Sequence, residues 1–137
     1  MNTSSEATGG RMAASRSPAA ILNVVGLLVT AAGMLLQIAA GSTLYPSLAG
    51  PIVLVATALI VAFRPGRWTA YFGLIVPLVL GIGAIAAAVM TGEFTGQLTD
   101  TGNPGIVVGS LLHVIGLIGA IAGAIEMLRP RWRRTAR

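Results

Sequence analysis

Four long apolar runs, separated by short polar connections, occupy most of this 137-residue chain. A helix needs about 20 apolar residues to cross a hydrocarbon core of about 30 Å. In lipid, a spanning segment must also satisfy its own backbone hydrogen bonds, which a helix does. The runs therefore predict an all-α integral membrane protein with four transmembrane helices. The approximate spans are residues 19–40, 46–63, 69–90 and 105–128.

The composition agrees with this fold class. Hydrophobic residues make up 55% of the chain and charged residues 9%, whereas a soluble domain has about 25% charged residues. A net charge of +5 would suggest a nucleic-acid partner in a soluble chain. Here the bases lie beside the spans, so we expect no nucleic-acid partner. The absence of cysteine excludes disulfides and thiolate metal sites.

The positions of the arginines predict the topology. Of the nine bases, all arginine, two precede the first run, two lie between the second and third runs, and five follow the fourth. The other two connections contain none. Because bases concentrate on the cytoplasmic side, both termini should be cytoplasmic, and the short connections favour an up-down bundle in the cell membrane. Residues 1–18 then form a flexible tail, residues 19–128 the transmembrane domain, and residues 129–137 a basic tail.

Small residues recur along one face of the fourth run. Their spacings of three, four or seven residues place them on the same side of a helix. In a bilayer, such stripes allow two helix backbones to approach closely. We therefore predict a helix-packing seam formed by Gly105, Gly109, Gly116, Gly119 and Gly123. The first run has a shorter version at Gly26 and Gly33, with Thr30 close by.

His113 is the only histidine of the chain and is predicted to lie near the bilayer centre, on the glycine face. Ionisable residues inside membranes usually face protein and often have a function, such as proton relay or ligand contact. The alternative is a neutral histidine that is hydrogen-bonded to Thr30, Thr57 or a backbone carbonyl of a neighbouring helix. We expect no cofactor, because a haem would need a second axial ligand.

Other polar residues have simpler interpretations. Asn23 and Gln37 lie near opposite ends of the first run, where hydration costs least, and Tyr45 suits the membrane interface. Pro77 should kink the third helix. Glu126 precedes Arg129 by three residues, a spacing that predicts a local ion pair.

The C-terminal tail combines bases with an aromatic residue directly after the last span. Anionic lipids attract such bases by about 1 kcal/mol each, and the same residues can serve simply to fix the topology. The predicted lipid or topology anchor consists of Arg129, Arg131, Trp132, Arg133 and Arg134.

The size and four spans resemble in outline the small multidrug resistance transporters and the small fluoride channels. The transporters carry a Glu in the middle of the first helix, where this chain has only small or apolar residues around Thr30. Many members of both families also have little charge bias, in contrast to the nine arginines on one side of this chain.

Catalysis is not expected. The chain has one histidine and four acids. From these we can assemble no Ser–His–Asp set, no catalytic pair of carboxylates and no metal-ligand cluster. The favoured hypothesis is an accessory or scaffold subunit that packs against a membrane-protein partner, because the glycine seam is extensive and functional polar residues are few. The alternative is a homo-oligomeric transporter or channel in which the Pro77 kink and His113 line the path. Lipid or cofactor binding is a third hypothesis.

Overall fold

The computed structural model describes residues 17–45, 47–92, 96 and 102–129. The predicted basic tail beyond residue 129 and nearly all of the predicted N-terminal tail lie outside the described residues. Within them the chain is all-α and forms four helices: α1 (Pro18–Ala39), α2 (Ala49–Phe63), α3 (Arg67–Thr91) and α4 (Pro104–Leu128). Three of these, α1, α3 and α4, are long and apolar enough to cross a membrane, whereas α2 is apolar but shorter.

Local sequence explains where the helices begin and end. Ser17 accepts a hydrogen bond from the Ala20 backbone N–H at 3.3 Å, which caps α1 directly before Pro18. Gly92 ends α3 in the left-handed conformation, with φ of 71°. Asn103 precedes α4, and its side chain donates to the Ala40 carbonyl at 2.8 Å. That bond joins the start of α4 to the end of α1.

The helices form a bundle organised around α1, which contacts α2, α3 and α4. Close approaches along α1 and α4 run in opposite order, since Gly33 lies against Gly109 and Asn23 lies against Gly123. The two helices are therefore antiparallel. The beginning of α3 meets the beginning of α1, where Asn23 contacts Gly73. Successive helices thus alternate in direction.

The first connection packs against the bundle through Tyr45, and α2 begins close to the end of α1. Gly50, in the first turn of α2, faces the side chain of Met34, which lies five residues before the end of α1. Tyr45 packs against the buried cluster that includes Leu27 and Leu54. The predicted second span began at residue 46, whereas the helix begins at Ala49, directly after the exposed Leu48.

Candidate functional site

The closest packing in the bundle is between α1 and α4, where glycines on both helices bring the backbones together. A Cβ atom on Gly26 would lie 2.7 Å from the Gly116 carbonyl oxygen, and one on Gly33 would lie 2.6 Å from the Gly109 carbonyl oxygen. A Cβ on Gly123 would lie 2.8 Å from the Ala19 carbonyl oxygen. Real Cβ atoms essentially never approach this closely, so only glycine fits at these positions.

The five glycines of the predicted seam do not lie equally close to α1. Gly109, Gly116 and Gly123 are buried. Gly119 is at the edge, because its Cβ would make only ordinary contacts, the nearest at 3.7 Å to the Gly26 Cα. Gly105 is also at the edge, and its Cβ would lie 3.0 Å from the Ala40 Cβ. The inner part of the seam is therefore filled by α1 of the same chain.

His113 is 6% exposed and lies between the seam residues Gly109 and Gly116. Its partner is Tyr45, whose hydroxyl oxygen is 3.4 Å from the His113 Nδ1 atom. The two rings are stacked, with centroids 5.8 Å apart and an interplanar angle of 23°. Thr30 and Thr57 were suggested from the sequence as partners of His113, but their hydroxyls donate elsewhere. Thr30 donates to the Gly26 carbonyl at 2.8 Å, and Thr57 donates to the Val53 carbonyl at 2.8 Å.

Tyr45 reaches His113 because the connection between α1 and α2 folds inward. Leu44 and Tyr45 of this connection line the cavity beside His113. Burial raises the pKa of the Tyr45 phenol to about 12, because desolvation penalises the phenolate. Tyr45 therefore remains a neutral O–H group at physiological pH.

The cavity beside His113 has a volume of about 180 Å³. It is bounded by α1, α3, α4 and the connection between α1 and α2. Its polar lining consists of Gln37, Tyr45, Ser110 and His113, and its apolar lining of Leu44, Gly81, Ala84, Ile85, Ala88, Val114 and Leu117. Among the described residues, no group of three or more His, Cys, Asp or Glu side chains could hold a metal ion.

At the opposite end of the bundle, Asn23 links three helices. It is fully buried, and its side-chain amide donates to the Ala120 carbonyl of α4 at 2.6 Å and to the Gly73 carbonyl of α3 at 3.1 Å. Gly73 lies four residues before Pro77, which has no N–H to donate to it. Asn23 therefore satisfies the carbonyl that Pro77 leaves unpaired. The helix α3 extends from Arg67 to Thr91 with Pro77 buried inside it.

Asn23 and Gln37 were not among the predicted site residues, because both were assigned to hydrated helix ends. They are 0% and 2% exposed. The sequence does contain a signal for their burial: Asn23, Gly26, Thr30, Gly33 and Gln37 follow one another at alternating intervals of three and four residues. This spacing places them on the same helical stripe.

The predicted ion pair at the end of α4 is confirmed, since Arg129 and Glu126 are joined by an N–O contact of 2.9 Å. Both side chains are well exposed, so the pair adds little stability. Arg131, Trp132, Arg133 and Arg134 lie outside the described residues, and the lipid or topology anchor stays a prediction.

Comparison with protein-family models, curated proteins and solved structures finds no match to this chain.

Proposed function

We propose that this is a non-enzymatic integral membrane protein, an accessory or scaffold subunit that packs against a partner within the bilayer. The observation that carries the proposal is the one-sided packing of α2. One face of this helix is buried, at Pro51, Leu54, Thr57, Ala58 and Val61. The opposite face is exposed along its whole length, at Ile52, Ala56, Leu59 and Phe63.

The length of α2 also supports association of this helix with a partner. Its 15 residues rise about 22 Å at 1.5 Å per residue, which is less than a hydrocarbon core of about 30 Å. A short apolar helix is accommodated by local thinning of the bilayer or by association with other helices. A partner that covers α2 would relieve the mismatch.

The partner surface is not the glycine seam. That stripe first suggested close packing with another protein, but its inner glycines face α1, where a Cβ on Gly116 would lie 2.7 Å from the Gly26 carbonyl oxygen. No second helix fits there while α1 and α4 stay together. The exposed face of α2 is therefore the better candidate.

For the orientation, we propose cytoplasmic termini and a location in the cell membrane. The alternating helix directions support this, because they bring Arg64, Arg67 and Arg129 to one end of the bundle. These are the arginines among the described residues. The positive-inside rule assigns that end to the cytoplasm, where anionic lipids would meet the basic tail.

The partner proposal predicts a cross-link from α2 and none from α4. Because the chain has no cysteine, a benzophenone can be attached at a single engineered site. Ile52 and Ile115 are both 63% exposed, so Ile52→Cys on α2 and the control Ile115→Cys on α4 present the probe with equal exposure on different helices. After irradiation in the native membrane, Ile52→Cys should yield a stoichiometric protein adduct and Ile115→Cys only lipid adducts. Lipid adducts alone from both positions, with a monomeric mass in mild detergent, would contradict the proposal.

The second candidate is a homo-oligomeric transporter or channel, and the observation that favours it is that His113 lines the cavity. Its signature in the cross-linking experiment would be a second copy of this chain rather than a foreign subunit. It predicts that His113→Ala changes solute or ion flux in proteoliposomes, because a group that lines the path affects passage. Flux no higher than in protein-free vesicles would rule it out.

A further inference from the structure

The cavity beside His113 is lined by polar side chains that are largely buried. The Ser110 hydroxyl is buried and has no hydrogen-bond partner among the described residues. Gln37 is 2% exposed and also lines the cavity. His113 uses Nδ1 for its contact with Tyr45, so Nε2 remains available. Each unpaired group in a dry interior costs free energy, and an occupant that pairs with it recovers that cost.

The rest of the lining indicates what the occupant is. No acid and no arginine is among the described residues that line the cavity, so a charged head group would find no counter-charge there. Ile85 on α3 and Val114 on α4 also line the cavity, and they are 56% and 53% exposed on the lipid-facing surface. The cavity thus extends from a polar inner end to an apolar opening between α3 and α4.

We propose that this cavity binds the head group of an uncharged amphipathic lipid that carries hydroxyl or carbonyl groups, with its hydrocarbon chain leaving between α3 and α4. Gln37, Ser110 and the Nε2 atom of His113 pair with the head group, and Tyr45 fixes the orientation of the His113 ring through Nδ1. The volume of about 180 Å³ has room for several water-sized groups. A glycerol-sized head fits this volume.

The test uses the full chain in phosphatidylcholine nanodiscs and a monoacylglycerol with a diazirine and an alkyne on its acyl chain. We expect saturable photolabelling, with adducts on peptides around Ile85 and Val114. An excess of unlabelled monooleoylglycerol should remove the labelling. A phosphatidic acid with the same acyl chain should not, because its charged head finds no partner in the cavity.

Two variants on α3 form a matched pair. Ala84 lines the cavity, whereas Ala86 is exposed on the other side of the helix. Ala84→Phe fills the cavity and should lower saturable labelling about tenfold, an effect of about 1.4 kcal/mol. Ala86→Phe should leave it unchanged.

Ser110→Ala removes a single oxygen atom and decides the question if Ala84→Phe does not fold. It should lower labelling about fivefold, as the loss of one hydrogen bond to a ligand does. Three results would overturn the proposal: no saturable labelling, equal labelling of the Ala84→Phe and Ala86→Phe proteins, or equal competition by phosphatidic acid. The first would leave water as the only occupant.

Discussion

Replacing Gly116 with alanine is expected to destabilise the folded bundle by about 3 kcal/mol, although alanine is the better helix former. The added Cβ would lie 2.7 Å from the Gly26 carbonyl oxygen and 2.6 Å from the Thr30 hydroxyl. A flexible side chain could move aside, but the backbone of a neighbouring helix cannot without separating α1 from α4. The substitution therefore weakens the packing along the whole α1–α4 interface, and this loss lowers the free energy of unfolding.

Stability can be followed by energy transfer between dyes at Ala39→Cys and Val108→Cys during unfolding in mixed micelles, since the chain has no natural cysteine. Both positions are exposed, one at the end of α1 and the other in α4. The separation of α1 from α4 is thus measured directly, whereas helix content would change little.

Two other glycines provide the controls. A Cβ on Gly83 would meet nothing within 4 Å, so Gly83→Ala should be neutral or stabilising by up to about 1 kcal/mol. Gly119→Ala lies on the same helix as Gly116, but its nearest new contact would be an ordinary 3.7 Å, so we expect little change. If Gly116→Ala were as stable as Gly83→Ala, the two backbones would not be in contact.

The local pattern of the chain was enough to predict helices but not which surfaces meet. Hydrophobic runs predicted four helices, and turn residues such as Gly66 and Gly92 lie at their ends. The spacing of Gly109 and Gly116 predicted a close-packed face because helical periodicity is a property of the sequence itself. The surface opposite that face depends on three-dimensional pairing. The sequence pattern therefore did not show that α1, rather than another protein, fills this face.

The site around His113 was predicted only in part for the same reason. Its position on the glycine face followed from the three- and four-residue spacing, and the structure places it there, 6% exposed. Tyr45 was assigned to the membrane interface because aromatic residues beside a turn usually lie there. Its contact with His113 depends on a connection that folds inward, and no local pattern in residues 41–48 indicates such a fold.

Buried polarity has different consequences at the two ends of the bundle. At one end, the Asn23 amide group donates to two backbone carbonyls, at 2.6 and 3.1 Å, and glycine backbones close around it, although its Oδ1 atom has no partner among the described residues. At the other end, Ser110 has no partner and lines a cavity of about 180 Å³. The first arrangement supports the structure of the bundle. The second leaves hydrogen-bonding capacity for a ligand.

The Asn23 arrangement predicts that two residues on different helices are energetically coupled. Asn23→Ala removes both interhelical hydrogen bonds and should destabilise the bundle by about 2 kcal/mol, since such bonds in membrane proteins contribute about 0.6 and at most about 1.7 kcal/mol each. Part of that cost arises because Pro77 leaves the Gly73 carbonyl without its helical partner. Pro77→Ala restores an N–H that can donate to Gly73 within α3.

A double-mutant cycle between Asn23→Ala and Pro77→Ala measures this dependence with the same dye pair. Asn23→Ala should cost about 1 kcal/mol less in the Pro77→Ala background, a coupling typical of residues that share one hydrogen-bonded group. Thr57→Val is the control, because the Thr57 hydroxyl donates within its own helix, to the Val53 carbonyl at 2.8 Å, and should show no coupling to Pro77. Strict additivity of Asn23→Ala and Pro77→Ala would mean that Asn23 does not replace the hydrogen bond that Pro77 removes. Coupling would mean that α3 tolerates its proline because α1 supplies the missing donor.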